Sequence, residues 1–491
     1  MFNFDAKLIA EVCSGRILAG SDKHYADSVF IDSRAVLPKS LFAAFVGKDS
    51  DGHDYIAAAI ERGASVVLLS RDDIDLNLFA DSATAILVDD VLEALQKLAH
   101  YQRSRIDCPV IGITGSSGKT STKELLKGAL ESGLKVVATE GNYNNELGVP
   151  LTILRVEPDT EALILEMGMR GLGQITELTD IAEPSIGIIT TIGDAHIEML
   201  GSREHIARAK GELFEALAES QLAFMPEHID FADYLRGVTK ATLMTVALET
   251  FPESAQGSSV ITAKIQSFDA QGNASSLVGL SSGEQFEMKL AIPGEHSVQN
   301  ALLALAIAQS LGLDPAAAIK GMEGVEPAEM RMQRFQINKL IDLSDSALLV
   351  DCYNANPEST AASLNTLAVS NLGRVKGGKR IAVLGDMLEM GDHSAKVHKD
   401  TLLLSGLLNI DLVYTFGPAY AAATQEVLKE LSTGLGTEHI PELRSFTDMS
   451  VLIGSLSSEL SSGSLVLIKG SRGMHMERIK DAFCTEGDTS C

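Results

Sequence analysis

The feature that most constrains this chain is Gly115-Ser116-Ser117-Gly118-Lys119-Thr120-Ser121. It is seated between the apolar run Pro109-Val110-Ile111-Gly112-Ile113 and a stretch whose Leu125, Leu126, Ala129 and Leu130 share one helical face. Strand, glycine loop and helix in that order make a phosphate cradle. Glycines let backbone amides turn toward an anion and the helix N-terminus adds its dipole. Lys119 neutralises phosphate charge, and the Thr120 hydroxyl can ligate magnesium. The loop departs from the common G-x-x-x-x-G-K-[ST] spacing, because Ile113 stands where the first glycine belongs. A chance Ser/Gly turn followed by Lys-Thr is the competing explanation, and the flanking strand and helix weigh against it.

Around the loop, short apolar runs alternate with amphipathic stretches, the pattern of βαβ units with mostly parallel sheets. At 491 residues the chain is long for one core, and three α/β domains are expected. Residues 1–105 read as a small mixed α/β domain with strands at Ser28–Asp32, Leu41–Val46, Val66–Leu69 and Ala85–Val88. Residues 106–326 read as a central P-loop-type domain with a mostly parallel sheet, including strands Ala162–Leu165 and Ile186–Ile192. Within it, Ser220 to Ala291 is expected to form an attached antiparallel patch. Residues 327–491 read as a Rossmann-like C-terminal domain with strands at Leu348–Val350, Ile381–Leu384, Leu412–Phe416 and Leu465–Ile468, and a loose tail after Phe483.

Composition excludes several classes. Hydrophobic residues at 45% and charged residues at 22% fit a soluble globular chain. The apolar stretch Ala301 to Ala308 falls short of the roughly 18 residues of a membrane span, so no membrane insertion is expected. The N-terminus lacks a basic start followed by an apolar block, which predicts a cytoplasmic protein. Five cysteines without a C-x-x-C pair signal neither a disulfide framework nor a zinc site. Forty Lys and Arg against 66 Asp and Glu give a charge of −26, which repels a phosphate backbone and argues against nucleic acid. A small phosphorylated ligand, held by local basic groups and amides, stays open.

Further groups sit where ligands of open α/β sheets bind, beyond the ends of apolar strands. Glu166 follows Ala162-Leu163-Ile164-Leu165, and His196 follows the run from Ile186. Either could reach a magnesium ion near Lys119, since such an ion wants only one or two protein ligands. Each alone is weak, because a lone strand-end carboxylate or histidine is more often merely solvated. Lys210 has Ile206, Ala207, Leu213 and Phe214 as its helical neighbours, so no acid pairs with it locally. A snorkelling surface lysine is the plain alternative.

Three further strings bring a family into view. They are the loop itself, Thr139-Glu140-Gly141-Asn142-Tyr143-Asn144-Asn145-Glu146-Leu147-Gly148-Val149-Pro150, and Glu166-Met167-Gly168-Met169-Arg170. Together they resemble the Mur ligases, most of all the branch that adds D-alanyl-D-alanine to UDP-N-acetylmuramoyl-tripeptide. Further matches run nearly the whole chain. Ile31-Asp32-Ser33-Arg34 and Asp51-Gly52-His53-Asp54 resemble its uridine-nucleotide domain, and Ala195-His196-Ile197-Glu198 with Ala209-Lys210-Gly211-Glu212 its central domain. Asp351-Cys352-Tyr353-Asn354-Ala355-Asn356-Pro357, Leu384-Gly385-Asp386-Met387-Leu388-Glu389-Met390-Gly391 and Lys469-Gly470-Ser471-Arg472 resemble its C-terminal domain.

The resemblance implies that Gly115 to Ser121 hold ATP phosphates. Thr120, Glu166, His196 and a carbamylated Lys210 would serve two Mg²⁺ ions. Asn300 would meet adenine, Arg331 the γ-phosphate and Asp351 the ribose. It further implies UDP-substrate contacts at Ser33, Arg34, Asp51, Gly52 and His53, and substrate contacts at Asn142, Asn144, Asn145, Asn354 and Asn356. Catalysis would rest on Lys119, Lys210, His196 and Arg331. Ser297 and Thr191 stand where the family usually has Asn, and Val350 replaces the first Asp of a common pair.

The expected activity is therefore ATP-dependent amide formation through an acyl phosphate, in peptidoglycan precursor synthesis and so in cell-wall biogenesis, cell shape and division. The expected partners are the UDP-linked tripeptide and D-alanyl-D-alanine, and the expected state a monomer. One rival is a sister ligase of the diamino-acid or folylpolyglutamate type. The diamino-acid branch carries Asp-Asn-Pro-Arg where this chain has Ala355-Asn356-Pro357-Glu358. The other is a nucleotide-gated binding protein, but Asn338-Lys339-Leu340-Ile341 lacks the Asp of a guanine-reading N-K-x-D.

Overall fold

In the computed structural model, strand Val110–Thr114 is flanked by Ala162–Glu166 on one side and Ile186–Ile189 on the other, all parallel. The structure describes residues 3–47, 50–79, 82–248, 260–340, 343, 345–370, 377–432 and 441–485; the rest of the expected C-terminal tail, with Cys491, lies outside them. All three strands are buried on both faces, which is why they read as nearly continuous apolar runs rich in Ile and Leu. From Val110–Thr114 the chain runs first to the edge strand Val136–Ala138, returns to Ala162–Glu166 between the two, then crosses to Ile186–Ile189 on the opposite side. That reversal opens a crevice beyond the carboxyl ends of the strands.

Among the described residues this sheet has nine strands. The expected antiparallel patch is a continuation of it. Leu222–Pro226 and Thr242–Leu248 extend it in parallel, and Ile261–Phe268 pairs in parallel with Thr242–Leu248. Only the meander through Asn273–Leu280 to Gln285–Pro293 is antiparallel. Its alternating exposure marks one face toward the core and one toward water. The expected strand Ile186–Ile192 ends at Ile189, because Thr190 and Thr191 turn their hydroxyls onto the backbone of Ser117.

The apolar stretch too short for a membrane belongs to helix Glu295–Ser310, where Ala301 through Ala308 are all buried. It shares one core with the sheet and with Leu125, Leu126, Ala129 and Leu130 of helix Lys119–Leu130. A helix apolar on every side is stable only when covered on every side. Among the described residues no helix is long and apolar enough to cross a membrane.

Two other sheets flank the central one. The N-terminal sheet has the order Arg16–Ala19, Thr84–Leu87, Ala64–Leu69, Ser40–Ala43, Ser28–Phe30, parallel except for Arg16–Ala19. Helix Val91–Arg103 joins it to the central domain, sharing a core with Val149, Ile153 and Leu178. The C-terminal sheet has the order Gln333–Gln336, Ala347–Asp351, Leu465–Lys469, Arg380–Gly385, Leu412–Phe416, Glu442–Phe446, parallel except for its first strand. Its strand ends face the central crevice, which places loops of both domains around one cleft.

Candidate active site

The cleft encloses about 660 Å³ and is lined from both domains, by the 116–121 loop, Glu166, His196 and Lys210 on one wall and by Arg331, Asp351 and Asn354 to Asn356 on the other. The loop owes its shape to two glycines. Gly118 caps helix Lys119–Leu130 at φ +85°, and Gly115 at φ +152° packs so tightly on Thr190 that a Cβ would collide with its hydroxyl. Both conformations are strained for any residue with a side chain. Thr191 accepts the Ser117 N–H at 2.8 Å, so the hydroxyl found where the family usually has Asn still holds the loop. Lys119 Nζ donates to the Gly115 carbonyl at 2.6 Å, curling back over the loop. Burial pulls the Lys119 ammonium below the usual lysine range and nearby Arg331 adds to this, although Glu166 opposes it.

Glu166, 2% exposed at the end of its strand, accepts from Thr120 Oγ1 at 2.9 Å and from Asn144 Nδ2 at 2.8 Å. This carboxylate therefore ties helix Lys119–Leu130 to the 139–146 loop. His196 begins the short helix Ile197–Leu200 at φ +65°, and its Nδ1 lies 2.7 Å from Glu389 Oε2. Burial lowers the His196 pKa, while Glu389 works in the opposite direction.

Lys210 is 2% exposed on helix Arg203–Glu215, with Ile206, Ala207, Leu213 and Phe214 all buried around it. Among the described residues no hydrogen bond or ion pair reaches its Nζ. Burial, reinforced by Lys119, drives its pKa well below the ordinary lysine value. Burial rules out the snorkelling alternative and disfavours the charged form of an amine that lines the cleft.

The opposite wall is held by its own bonds. Asp351 accepts from Lys469 Nζ at 2.7 Å and from Ser363 Oγ at 2.6 Å. Burial alone would raise its pKa, but these two partners outweigh it and hold it below the usual carboxylate range. Lys469 also donates to the Asn354 carbonyl at 2.9 Å. Arg331 stacks its guanidinium over Tyr353, 4.2 Å from the ring centroid. Asn356 caps helix Pro357–Val369 by accepting the Ser359 N–H, and its amide meets Ser117 Oγ at 3.3 Å across the cleft. His296 and Asn300 line the same space, with Asn300 against Gly118. Ser297 turns away to donate to the Pro293 carbonyl, and Val350 is packed in the C-terminal core.

The cleft thus gathers Lys119, Thr120, Glu166, His196, Lys210, Asn300, Arg331 and Asp351, with Asn142, Asn144, Asn145, Asn354 and Asn356. It does not include Ser33, Arg34, Asp51, Gly52 or His53, which belong to the N-terminal domain. There Arg34 pairs with Asp32 at 2.7 Å. Asp51 accepts from His53 Nδ1 at 2.6 Å, while His53 Nε2 accepts the Ser70 N–H. Three charged residues stand in the sequence strings without a role: Lys469, which binds Asp351 and Asn354 in its own domain, and Glu358 and Glu389, which reach across the seam. For Lys469 the signal was a charge at the end of the apolar strand Leu465–Ile468, and for Glu389 a second acid three residues after Asp386. For Glu358 there was none.

Among the described residues no three His, Cys, Asp or Glu side chains cluster as a closed metal site. The donor set at the cleft is instead sparse and hard: the Thr120 hydroxyl, the Glu166 carboxylate and one imidazole. Thr120 and Glu166 are already within bonding distance of each other. That set suits Mg²⁺, which keeps waters and shares phosphate oxygens instead of filling its shell from protein.

Three α/β domains, with a glycine phosphate loop at a sheet's switch point and a second domain closing the cleft, define a phosphate-transferring class of enzyme. Comparison with known proteins narrows the class. The Mur ligase family, catalytic domain, matches residues 26–103, the Mur ligase middle domain residues 113–308, and the Mur ligase, glutamate ligase domain, residues 330–472. A UDP-N-acetylmuramoyl-tripeptide–D-alanyl-D-alanine ligase of Synechocystis is 34% identical over 99% of this chain and 98% of its own. Its counterpart in Bacillus subtilis is 32% identical over 98% of each. The crystal structure of MurF from Acinetobacter baumannii superposes with a TM-score of 0.82 at 27% identity, covering 98% of each chain. MurF ligase of Thermotoga maritima, in complex with ADP, gives 0.74 at 26% identity, over 93% of this chain and 96% of that one. The chain belongs to the Mur ligase family.

Proposed function

We propose that this chain joins D-alanyl-D-alanine to UDP-N-acetylmuramoyl-tripeptide at the expense of ATP, giving the pentapeptide precursor of peptidoglycan. The full-length likeness to ligases of that activity supports the reaction. The observation that carries the residue roles is the meeting of the 116–121 loop, Glu166, His196 and Lys210 with Arg331 and Asp351 around one cleft. A carboxylate and an amine do not condense at neutral pH. The γ-phosphoryl of ATP therefore passes to the tripeptide's terminal carboxylate, releasing ADP and forming an acyl phosphate. The dipeptide amine then attacks the carbonyl, loses a proton, and phosphate leaves.

Phosphoryl transfer needs positioning and charge stabilisation more than a protein nucleophile. Lys119 and Arg331 supply positive charge from opposite walls. Asn300 and Asp351 hold the nucleoside. Asn142, Asn144, Asn145, Asn354 and Asn356 contact the peptide substrates, and Ser33, Arg34, Asp51, Gly52 and His53 take the UDP end. Thr120, Glu166 and His196 would hold magnesium, which neutralises phosphate charge when bound. Burial favours the neutral Lys210 amine, which would attack CO₂, forming an N–C bond and releasing a proton, and the carbamate would offer an anionic oxygen ligand to a second ion. A buried ammonium beside two divalent cations would be repelled by them.

Domain limits at 105/106 and 326/327 keep each sheet whole, and a monomeric cytoplasmic enzyme is the reading that goes with them. Phosphate and ADP release should require both the UDP-tripeptide and D-alanyl-D-alanine. Release with a different amino acid in place of the dipeptide, and none with it, would move the chain to a sister branch of the family.

A further inference from the structure

We infer that Glu389 and Glu358 of the C-terminal domain are positioning residues that clamp the 193–198 loop of the central domain, so that His196 is oriented for its task only while the two domains are docked. The inference rests on the magnesium role proposed above for His196.

The contacts are long-range and converge on one short segment. Glu389 Oε2 meets His196 Nδ1 at 2.7 Å, and the Glu389 carbonyl accepts the Glu198 N–H at 3.2 Å. From the other side Glu358 Oε1 accepts the Asp194 N–H at 2.9 Å. The Glu358 carboxylate also fills the space beside Gly193, where any Cβ would run into it. Its second oxygen is buried without a hydrogen-bond partner among the described residues. Such an oxygen costs stability in its own right, so the contact is not explained as plain interface packing.

Strain points the same way. His196 and Glu389 both have left-handed backbone, at φ +65° and +61°, though neither is glycine. Two bulky residues in that conformation, bonded to each other across a domain seam, persist only where the surroundings over-determine them. On the Glu389 side the surroundings are visible. His398 Nε2 accepts the Met387 N–H at 2.9 Å, Ser471 Oγ accepts the Leu388 N–H at 2.9 Å, and Asp386 accepts the N–H groups of Ala419 and Tyr420. Glu389 is thus presented by a pinned loop.

The chemistry follows from donor and acceptor roles. A carboxylate only accepts, so Nδ1 carries the hydrogen and Nε2 keeps its lone pair. A carboxylate behind a ligating imidazole fixes its tautomer and ring plane, and losing such a partner typically costs about 10- to 100-fold in affinity or activity. Here that partner arrives from another domain, so docking and ligand orientation become one event.

Three measurements on the full-length protein test this. Nitrogen-15 spectra of histidine-labelled protein, without metal and with His196 assigned by difference, should show the Nδ1-protonated tautomer. Glu389→Ala should shift it toward Nε2 protonation, whereas Glu389→Gln, whose amide oxygen still accepts, should keep it. In turnover, Glu389→Ala should lower kcat on the order of 10-fold with the ATP KM little changed, and Glu389→Gln should recover part of that. Scattering from Glu358→Ala and Glu389→Ala combined should show a more open ligand-free chain. An unchanged tautomer in Glu389→Ala, or a shifted tautomer with wild-type kcat, overturns the inference. Wild-type protein that shows the expected tautomer and compactness but no ligase turnover would instead remove the functional reading and leave the clamp.

Discussion

The two walls of the cleft are built differently. The central wall takes its groups from the ends of three adjacent parallel strands and the helix that follows the first, and they are tied together within one domain. Thr120, Asn144 and Glu166 bond to one another, and Lys119 bonds to its own loop. The C-terminal wall is equally firm internally, through Asp351 with Lys469 and Ser363. It meets the central wall, however, through a few polar contacts at Asn356, Glu358 and Glu389. The first wall is held by bonds within one domain, whereas the groups of the second reach the cleft only through the contact between two domains. Substitutions in the first should remove chemistry at once, and those at the seam should act through docking.

The largest effect is expected for Lys119→Ala. It removes a half-buried basic group from the cradle without touching the sheet, so turnover should fall on the order of 10²-fold or more while the melting transition stays near wild type. Near-normal turnover in steady-state assays would break the distinction at its strongest point.

Lys210→Met sharpens it from within the same wall. Turnover should again fall on the order of 10²-fold, yet the protein should melt at a higher temperature than wild type in metal-free, CO₂-depleted buffer. The sign follows from the depressed pKa: the unfolded chain binds a proton that folded Lys210 does not. Wild-type stability therefore rises with pH from that depressed value up to the ordinary lysine pKa of 10.5. The advantage of Met should be largest below that depressed value and vanish toward pH 10.5. Melting curves at several pH values decide it, and a Met variant less stable than wild type at pH 7 would show that Lys210 has a partner after all.

The smallest chemical change with a distinct signature is Gly193→Ala. The new methyl group would meet the Glu358 carboxylate as its nearest neighbour, whereas the bonds of Gly193 to Ser116 Oγ of the loop are made by backbone groups that alanine keeps, so nucleotide affinity should persist while kcat falls on the order of 10-fold, as for other losses of positioning. Isothermal titration with an ATP analogue beside turnover measurements separates the two. Loss of nucleotide binding would mean that the seam and the cradle are not independent.

These contrasts also separate what was legible in sequence from what was not. The phosphate loop was readable because strand, glycines, lysine and helix are consecutive, and their geometry is set by local backbone rules. Glu166 was readable as a strand-end group, as was the apolar setting of Lys210. The segment Ser220 to Ala291 reads as an attached antiparallel patch, whereas it continues the central sheet in parallel before its antiparallel meander, since alternation reports one buried face but not which edge a strand joins. Thr191 and Ser297 looked like defects in a motif. The structure gives each hydroxyl a backbone partner, at Ser117 and Pro293.

By itself, the sequence determined the cradle, the order of the three α/β units and the family, all of which rest on patterns within a few dozen residues. Only the tertiary structure decided that Lys210 lacks an ion-pair partner among the described residues, and that Asp351 is held by Lys469, 118 residues away. It alone brought Glu389 to His196 across 193 residues. Periodicity fixes which face of an element is buried, while the partner a charged side chain meets across a domain seam depends on docking that no local pattern encodes.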